Sequence, residues 1–257
     1  MARLLAFIFG LACYALMFAA LLYLLGFLAN AFVPKGIDSG ARVPLPEALL
    51  IDSGLLLLFG LQHSVMARPG FKQWWKRLVP DSIERSTYVL LASGVLVLLF
   101  VCWQPLPQVI WSAGTTWVTG GAWSIFLLGV LLLLAATFVI DHFDLFGLRQ
   151  VWLNLIGRPY VPPGFRVAWF YKYLRHPIYL GWLLIFWATP HMTLGHLLFA
   201  LGMSAYIFIG VHYEERDLVK IHGPDYREYQ RRVPMLIPRP TRGSAGKPSW
   251  STPGGSR

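Results

Sequence analysis

The stretch RHPIYLG at residues 175–181 decides the fold together with the acidic pair Glu214-Glu215, because the two bracket a long apolar segment. Between them lie two apolar arms, at residues 178–190 and 194–213. If both arms are helices, they form a hairpin whose polar clusters finish at the same membrane face. Polar groups next to hydrocarbon are costly, so these clusters indicate a functional site.

The two arms of this hairpin differ in length. The first arm of 13 residues would give a helix of roughly 20 Å, and the second arm of 20 residues a helix of roughly 30 Å. A bilayer core is about 30 Å thick. Either the first arm stops part-way, or its helix begins near Trp169 and bends at Pro177. Five and six membrane helices are both compatible with the sequence.

The composition indicates an integral membrane protein, since 56% of the residues are hydrophobic and only 13% are charged. We predict an all-α, polytopic membrane helix bundle of five to six membrane helices, in which the last two form the hairpin and lead into a C-terminal segment. Residues 1–240 are predicted to form a single membrane domain. Residues 241–257 are rich in Gly, Ser and Pro and are predicted to be disordered. The four spans before the hairpin are predicted at residues 4–33, 47–67, 87–103 and 120–140.

Basic residues predict the orientation of the bundle. They are in excess in the segments 68–86 and 141–176 and after Tyr213, whereas residues 102–119 carry no charge. By the positive-inside rule, the three basic segments and both termini face the cytoplasm, as in a protein of the bacterial inner membrane. Because the basic residues are spread over several loops, they indicate contact with membrane lipids and not a nucleic-acid site. The oligomeric state stays open.

Several polar residues converge on this cytoplasmic end and predict a pocket there. Each also has a structural interpretation, as an interfacial anchor, a helix cap or a surface ion pair. The seven histidines form no HxxHH or HExxH pattern, so we predict no metal site. The converging residues are Gln62, His63, Asp141, His142, Asp144, Arg175, His176, Tyr179, Glu214, Glu215, His222, Tyr226 and Tyr229.

The ordered set of C-terminal motifs resembles a known family. RHPIYLG, the apolar hairpin, the Glu pair and HGPDYREYQRRVPMLIP at 222–238 are similar to the cofactor-binding region of the integral membrane methyltransferases related to isoprenylcysteine carboxyl methyltransferase. Members of this superfamily include phospholipid N-methyltransferases. Three upstream stretches resemble its methanethiol S-methyltransferase branch and extend the likeness to most of residues 50–240. They are LQHSVMARPGFKQWWKRLVP at 61–80, ERSTYVLLAS at 84–93 and DHFDLFGLRQV at 141–151.

The resemblance implies binding of S-adenosylmethionine by a region at about residues 169–238. Glu214 or Glu215 would receive its amino group, and Arg175 or His176 its carboxylate or ribose. Tyrosine rings would pack on the adenine or near the sulfonium. The cofactor-binding residues predicted in this way are Arg175, His176, Pro177, Tyr179, Gly181, Glu214, Glu215, His222, Tyr226 and Tyr229.

The resemblance also implies a reaction, in which a methyl group passes to methanethiol to give dimethyl sulfide and S-adenosylhomocysteine. A thiolate is the competent nucleophile, so the thiol needs a group that accepts its proton. Asp141, His142 and His63, in that order, are the predicted general bases. The small volatile thiol would enter from the bilayer. Its predicted binding residues are Gln62, Arg85, Tyr88, Asp144 and Trp187.

Two other functions remain open at the level of sequence. One is a related methyltransferase that acts on a phospholipid headgroup or a prenylated cysteine. The other is a membrane protein of the same fold without enzymatic activity.

Overall fold

The computed structural model describes residues 1–164 and 167–237, which form a helical bundle with a small two-stranded sheet. Five helices, the first, second, fourth, fifth and ninth, are long and apolar enough to cross a membrane. The predicted polytopic all-α membrane fold is thereby confirmed. The helices are α1 (Ala2–Ala29), α2 (Leu45–Ala67), α3 (Pro69–Trp75), α4 (Asp81–Cys102), α5 (Thr116–Ile140), α6 (His142–Leu145), α7 (Leu148–Leu155), α8 (Pro177–Trp187) and α9 (Leu194–Arg232); the strands are β1 (Val109–Ser112) and β2 (His191–Thr193).

The ends of the long helices follow local sequence signals. Helix α1 stops at Ala29, before the predicted Val33, because Asn30 adopts a left-handed conformation at φ 51°. Helix α4 begins at Asp81 and not at Thr87, with acidic residues in its first turn that complement the helix dipole. The predicted disordered tail at 241–257 lies outside the described residues.

The hairpin contains one half-length helix. Helix α8 begins at Pro177. Backbone N–H groups in the first turn of a helix have no partner within the helix, so a proline there removes no helical hydrogen bond. The 11 residues of α8 span about 16 Å, roughly half of a bilayer core. The alternative of a helix that starts near Trp169 and bends at Pro177 is wrong, because Trp169–Lys172 form a separate 3-10 turn. The described chain therefore has five full-length apolar helices and one short one.

An extended segment, strand β2, follows the short helix of the hairpin. Strand β2 pairs antiparallel with β1, which follows α4. The backbone N–H of Leu194 donates to the carbonyl of Gln108 at 2.8 Å, and Thr193 caps α9 by accepting a bond from the His196 N–H at 3.2 Å. These bonds satisfy backbone groups that hydrocarbon could not. The tip of the hairpin is thus fixed against the α4–α5 connection.

Helices α5 and α8 cross in close contact at two glycines. A Cβ atom built on Gly181 would lie 2.9 Å from the carbonyl oxygen of Gly129. Only glycine, which lacks a Cβ, allows the two backbones to approach so closely. This crossing sets the position of α8 and of Tyr179, which lies two residues nearer the start of that helix.

Helix α9 continues well beyond the apolar arm and then turns back. Gly223 at φ 56° and Pro224 produce a kink, after which the helix runs to Arg232. The following residues return to the start of α8, where the N–H of Arg175 donates to Pro234 O at 2.9 Å and that of His176 to Met235 O at 3.1 Å. We call this end of the bundle, which carries Arg175 and Glu214, the charged end.

Candidate active site

A cavity of about 1100 Å³ opens at the charged end between α1, α2, α4, α5, α8 and α9. Its volume is slightly above the range of roughly 300–1000 Å³ found for small-molecule sites. The wall carries many of the polar residues that the sequence predicts for a pocket. They are His63, Arg85, Tyr88, Asp141, His142, Asp144, Arg175, His176, Tyr179, Glu214, His222, Tyr226 and Tyr229.

The hairpin contributes a carboxylate to this wall. The Tyr179 hydroxyl donates to Glu214 Oε2 at 2.7 Å and so links the start of α8 to α9. The described part of the chain places no cation within ion-pair distance of Glu214, although the carboxylate lines the cavity. A carboxylate held in this way offers a site for a positively charged group of a ligand.

Glu215 has a different environment from Glu214. Its Oε1 accepts bonds from Arg175 Nε at 2.7 Å and from the His176 ring at 3.0 Å, and its Oε2 accepts from the Gln230 side chain at 3.0 Å. Arg175 also donates to the carbonyls of Gln230 and Val233. Glu215 and Arg175 therefore join the start of α8 to the segment after α9.

The segment after the kink covers one side of the cavity. The rings of Tyr226 and Tyr229 lie 5.7 Å apart and are both buried. The Tyr229 hydroxyl donates to Tyr171 O at 2.6 Å. Burial raises the pKa of Tyr171 above its usual range, so its hydroxyl stays protonated. The two tyrosines share one helix face, as their spacing predicts.

A group of aromatic side chains surrounds His63 on the opposite wall. The ring centroid of His63 lies 5.1 Å from that of Tyr88 and 5.3 Å from that of Phe59. The Tyr88 hydroxyl donates to the His63 backbone carbonyl at 3.3 Å. The guanidinium of Arg85 lies over the Tyr88 ring, 4.9 Å from its centroid. Within the described residues, the buried Nδ1 of His63 has no hydrogen-bond partner.

Asp141 and Asp144 are engaged with their neighbours. Asp141 Oδ1 accepts the Asp144 N–H at 3.0 Å as the cap of α6, and Oδ2 pairs with Arg149 at 3.0 Å. Tyr160 donates to Asp144 Oδ2 at 3.2 Å. Burial is the main cause that raises the pKa of Asp144, and burial together with this bond raises that of Tyr160 to about 12. The cluster thus fixes the turn from α5 into α7.

Both ring nitrogens of His142 are also occupied. Thr137 donates to the Leu134 carbonyl at 2.8 Å, so its oxygen accepts from His142 Nδ1–H at 2.9 Å. His142 Nε2 then accepts from the Tyr14 hydroxyl at 2.8 Å. Burial lowers the pKa of His142. This neutral imidazole joins α1 to the end of α5.

Besides Glu215, four predicted site residues lie away from the cavity wall. Gly181 packs on Gly129, and Pro177 starts α8. Trp187 donates from its indole N–H to Ser204 at 3.0 Å, at the other end of α8. The Gln62 side chain donates to the sulfur of Met66 at 3.1 Å. Their predicted ligand contacts stay predictions.

The structure adds cavity residues that the sequence predictions did not include. Tyr206 on α9 faces the His63 ring at 6.1 Å, and Arg68 pairs with Asp217 at 3.0 Å. Lys72 on α3 lines the same cavity. Arg68 and Lys72 belong to the basic segment that served to predict orientation, but the sequence does not show which of its side chains turn inward.

The fold and the cavity define a polytopic membrane protein with a polar site at one end of its helices. The chain belongs to the family described as NnrU protein, whose model matches residues 53–238. It is similar to a methanethiol S-methyltransferase of Mycobacterium tuberculosis, at 48% identity over 94% of this chain and 99% of the relative. A methanethiol S-methyltransferase of Crocosphaera subtropica is also 48% identical, over 93% of each chain.

A more distant likeness connects the chain to an animal protein. Nurim of Bos taurus is 30% identical over 92% of this chain and 93% of the relative. No solved structure matches the chain. The resemblance to the methanethiol S-methyltransferase branch is confirmed by the first two relatives.

Proposed function

We propose that the chain is an integral membrane methyltransferase that transfers the methyl group of S-adenosylmethionine to methanethiol. The products are dimethyl sulfide and S-adenosylhomocysteine. Two relatives that carry this activity in their names align over nearly the whole chain. The observation that carries the proposal is Glu214, a carboxylate without a described cationic partner on the wall of a tyrosine-rich cavity.

The cavity fits the chemical groups of the methyl donor. S-adenosylmethionine supplies a methyl group activated by a sulfonium, and it also carries an ammonium group and an adenine. Glu214 is placed to receive the ammonium, and the Tyr179, Tyr206 and Tyr226 rings offer faces for the sulfonium or the adenine. Glu215 would act through Arg175 and His176, which it holds in position.

The geometry supports a different order of bases from the one predicted. Asp141 is paired with Arg149, and His142 Nε2 already accepts a hydrogen bond from the Tyr14 hydroxyl. His63 lines the cavity and has a ring nitrogen without a described partner. We therefore place His63 before Asp141 and His142 as the group that takes the thiol proton.

The proposed orientation places this site on the cytoplasmic side of a bacterial inner membrane. The described parts of the three basic segments lie at the charged end, in agreement with the positive-inside rule. Lipid would surround the exposed apolar faces of the long helices, such as Leu127, Leu128 and Leu131 on α5.

The test is a product assay with the purified protein in lipid vesicles. With S-adenosylmethionine and methanethiol, we expect dimethyl sulfide in the headspace, and we expect none from Glu214→Ala/Glu215→Ala. Parallel samples receive phosphatidylethanolamine or a prenylated cysteine instead of the thiol. If one of these two compounds is methylated and methanethiol is not, that compound is the acceptor. A folded protein that does not bind S-adenosylhomocysteine would contradict the enzymatic proposal.

A further inference from the structure

Five cations line the cavity, and two of them differ from the others in their partners. Arg68 pairs with Asp217, Arg149 with Asp141 and Arg175 with Glu215, at 2.7 to 3.0 Å. In residues 1–164 and 167–237, Lys72 and Arg85 have no carboxylate within ion-pair distance, although both line the cavity. We call Lys72 and Arg85 the cationic pair.

The backbone and an aromatic ring hold Arg85 in place. Its Nε donates to the Leu145 carbonyl at 2.7 Å, and its guanidinium carbon lies 4.9 Å from the centre of the Tyr88 ring. A carbonyl and a ring face orient a guanidinium without neutralising its charge. The rest of its N–H groups remain available for an anion.

Lys72 is half-buried on α3 close to Arg85. Burial, followed by the charge of Arg85, lowers the pKa of Lys72, and Lys76 and Arg68 act in the same direction. Glu84 opposes them without forming an ion pair with Lys72. Two like charges in a partly buried site repel each other and favour the binding of an anion between them.

The cationic pair lies on the His63 side of the cavity. Arg85 stacks on Tyr88, whose ring is 5.1 Å from the ring of His63, whereas Glu214 bonds to Tyr179 on the hairpin side. The cavity therefore offers negative charge on the α8–α9 wall and positive charge on the α2–α4 wall. A cationic methyl donor and an anionic acceptor would fit these two walls, respectively.

We propose that Lys72 and Arg85 form an anion subsite that holds the acceptor sulfur as a thiolate. This inference rests on the proposed function and names Lys72 as a further substrate-contacting residue. The thiol proton passes to His63. The sulfur lone pair forms the new bond to the methyl carbon, the bond from that carbon to the donor sulfonium breaks, and its electron pair remains on the donor sulfur as a neutral thioether.

The physical reason is the instability of a thiolate in apolar surroundings. An alkyl thiol such as that of cysteine has a pKa of about 8.5 in water, and burial among apolar groups raises it. A cation within a few ångströms lowers the pKa of an acid by about 1–3 units. The cationic pair would therefore offset the burial and keep the acceptor reactive near neutral pH.

The experiment measures the bound thiol without methyl transfer. The protein is saturated with S-adenosylhomocysteine, methanethiol is added, and the ultraviolet thiolate band is followed as the pH is raised. For the wild type we expect the band to appear below the pH at which free methanethiol ionises. Lys72→Gln should move this midpoint up by about one pH unit. Lys72→Arg should restore it.

Lys76→Gln is the matched control, since Lys76 directly follows the same helix but is exposed and paired with Asp81 at 3.1 Å. It should titrate as the wild type does. An unchanged midpoint in Lys72→Gln would overturn the subsite. A lower affinity of Lys72→Gln for S-adenosylhomocysteine, with an unchanged midpoint, would also overturn the subsite, because the cationic pair would then hold the donor carboxylate.

The outcome for the proposed function is read separately, from the headspace assay of the wild type. A thiolate band without dimethyl sulfide would contradict the methyl transfer and leave the anion subsite supported. Dimethyl sulfide formation with equal midpoints in wild type and Lys72→Gln would contradict the subsite alone.

Discussion

Glu214 and Glu215 are adjacent in the sequence and yet have different surroundings, because successive residues on a helix are rotated by about 100°. Glu214 lines the cavity, whereas Glu215 holds Arg175 and His176. The sequence predicted that the two polar clusters of the hairpin meet. It did not separate the two carboxylates, since that depends on the rotation of α9 about its axis.

Glu214→Gln tests the carboxylate that faces the cavity. The substitution keeps the shape and the Tyr179 contact but removes the charge. A hydrogen bond to a charged group contributes about 1.5–3 kcal/mol, so the affinity for S-adenosylhomocysteine should fall roughly ten- to hundredfold. Calorimetry on the purified protein measures it. Glu228→Gln, on the same helix and paired with Arg232, should bind as the wild type does; equal affinities for all three would refute the assignment.

His142 makes the stability of the protein depend on pH. Because burial lowers its pKa in the folded state, the unfolded chain takes up a proton below about pH 6.5 and the folded imidazole resists it. Stability should therefore fall as the pH falls from 7.5 to 5, by at most about 1.4 kcal/mol per pH unit from this group.

Thermal unfolding in detergent checks this prediction. His142→Gln retains a donor and an acceptor for Thr137 and Tyr14, and it should lose less stability than the wild type on acidification. The exposed His212 provides the control His212→Gln, which should keep the wild-type slope. The same acid sensitivity in His142→Gln would show that another group causes it.

At the scale of elements, the length of the first hairpin arm left two alternatives open, a helix that stops part-way and a longer helix that bends at Pro177, and the structure shows the first. A segment of 13 apolar residues is too short for a bilayer, and α8 is indeed a half-length helix. The pairing of β1 with β2 could not be predicted, because the two short strands are far apart in sequence and lack a strand pattern. Gly181 was likewise predicted only as the last residue of the RHPIYLG motif. Its contact with Gly129 depends on the position of α5, which the motif does not encode.

Gly181→Ala tests this helix crossing. Its new Cβ would lie 2.9 Å from the Gly129 carbonyl oxygen, so the two helices must separate, at a cost of about 1–3 kcal/mol. The thermal midpoint in detergent should drop. Gly54→Ala on α2, where a Cβ meets nothing within 4 Å, should leave the midpoint unchanged or slightly raised. A wild-type midpoint for Gly181→Ala would show that the crossing tolerates a methyl group.

At the scale of the whole molecule, the distribution of charge predicts the orientation, and the sequence alone predicted which segments share one end. The cavity was predicted only as a convergence of residues. The inward direction of Lys72 and Tyr206 depends on how α3 and α9 pack, which no local pattern encodes.

Labelling of single cysteines tests the proposed orientation. With Cys13 and Cys102 replaced by serine, Gly114→Cys lies at the end opposite the cavity and Lys76→Cys at the charged end, and both positions are exposed. A membrane-impermeant maleimide added to intact cells should modify Gly114→Cys and leave Lys76→Cys unmodified until the membrane is opened. The reverse pattern would place the cavity on the outer side.

The proposed reaction is methyl transfer from a donor in this cavity to a small thiol. The most direct measurement supplies S-adenosylmethionine with a deuterated methyl group, together with methanethiol, to the protein in vesicles and analyses the headspace by mass spectrometry. We expect the wild type to form dimethyl sulfide with one deuterated and one ordinary methyl group, and Glu214→Gln to form much less of it. Unlabelled product, or no product from folded protein that binds S-adenosylhomocysteine, would contradict it.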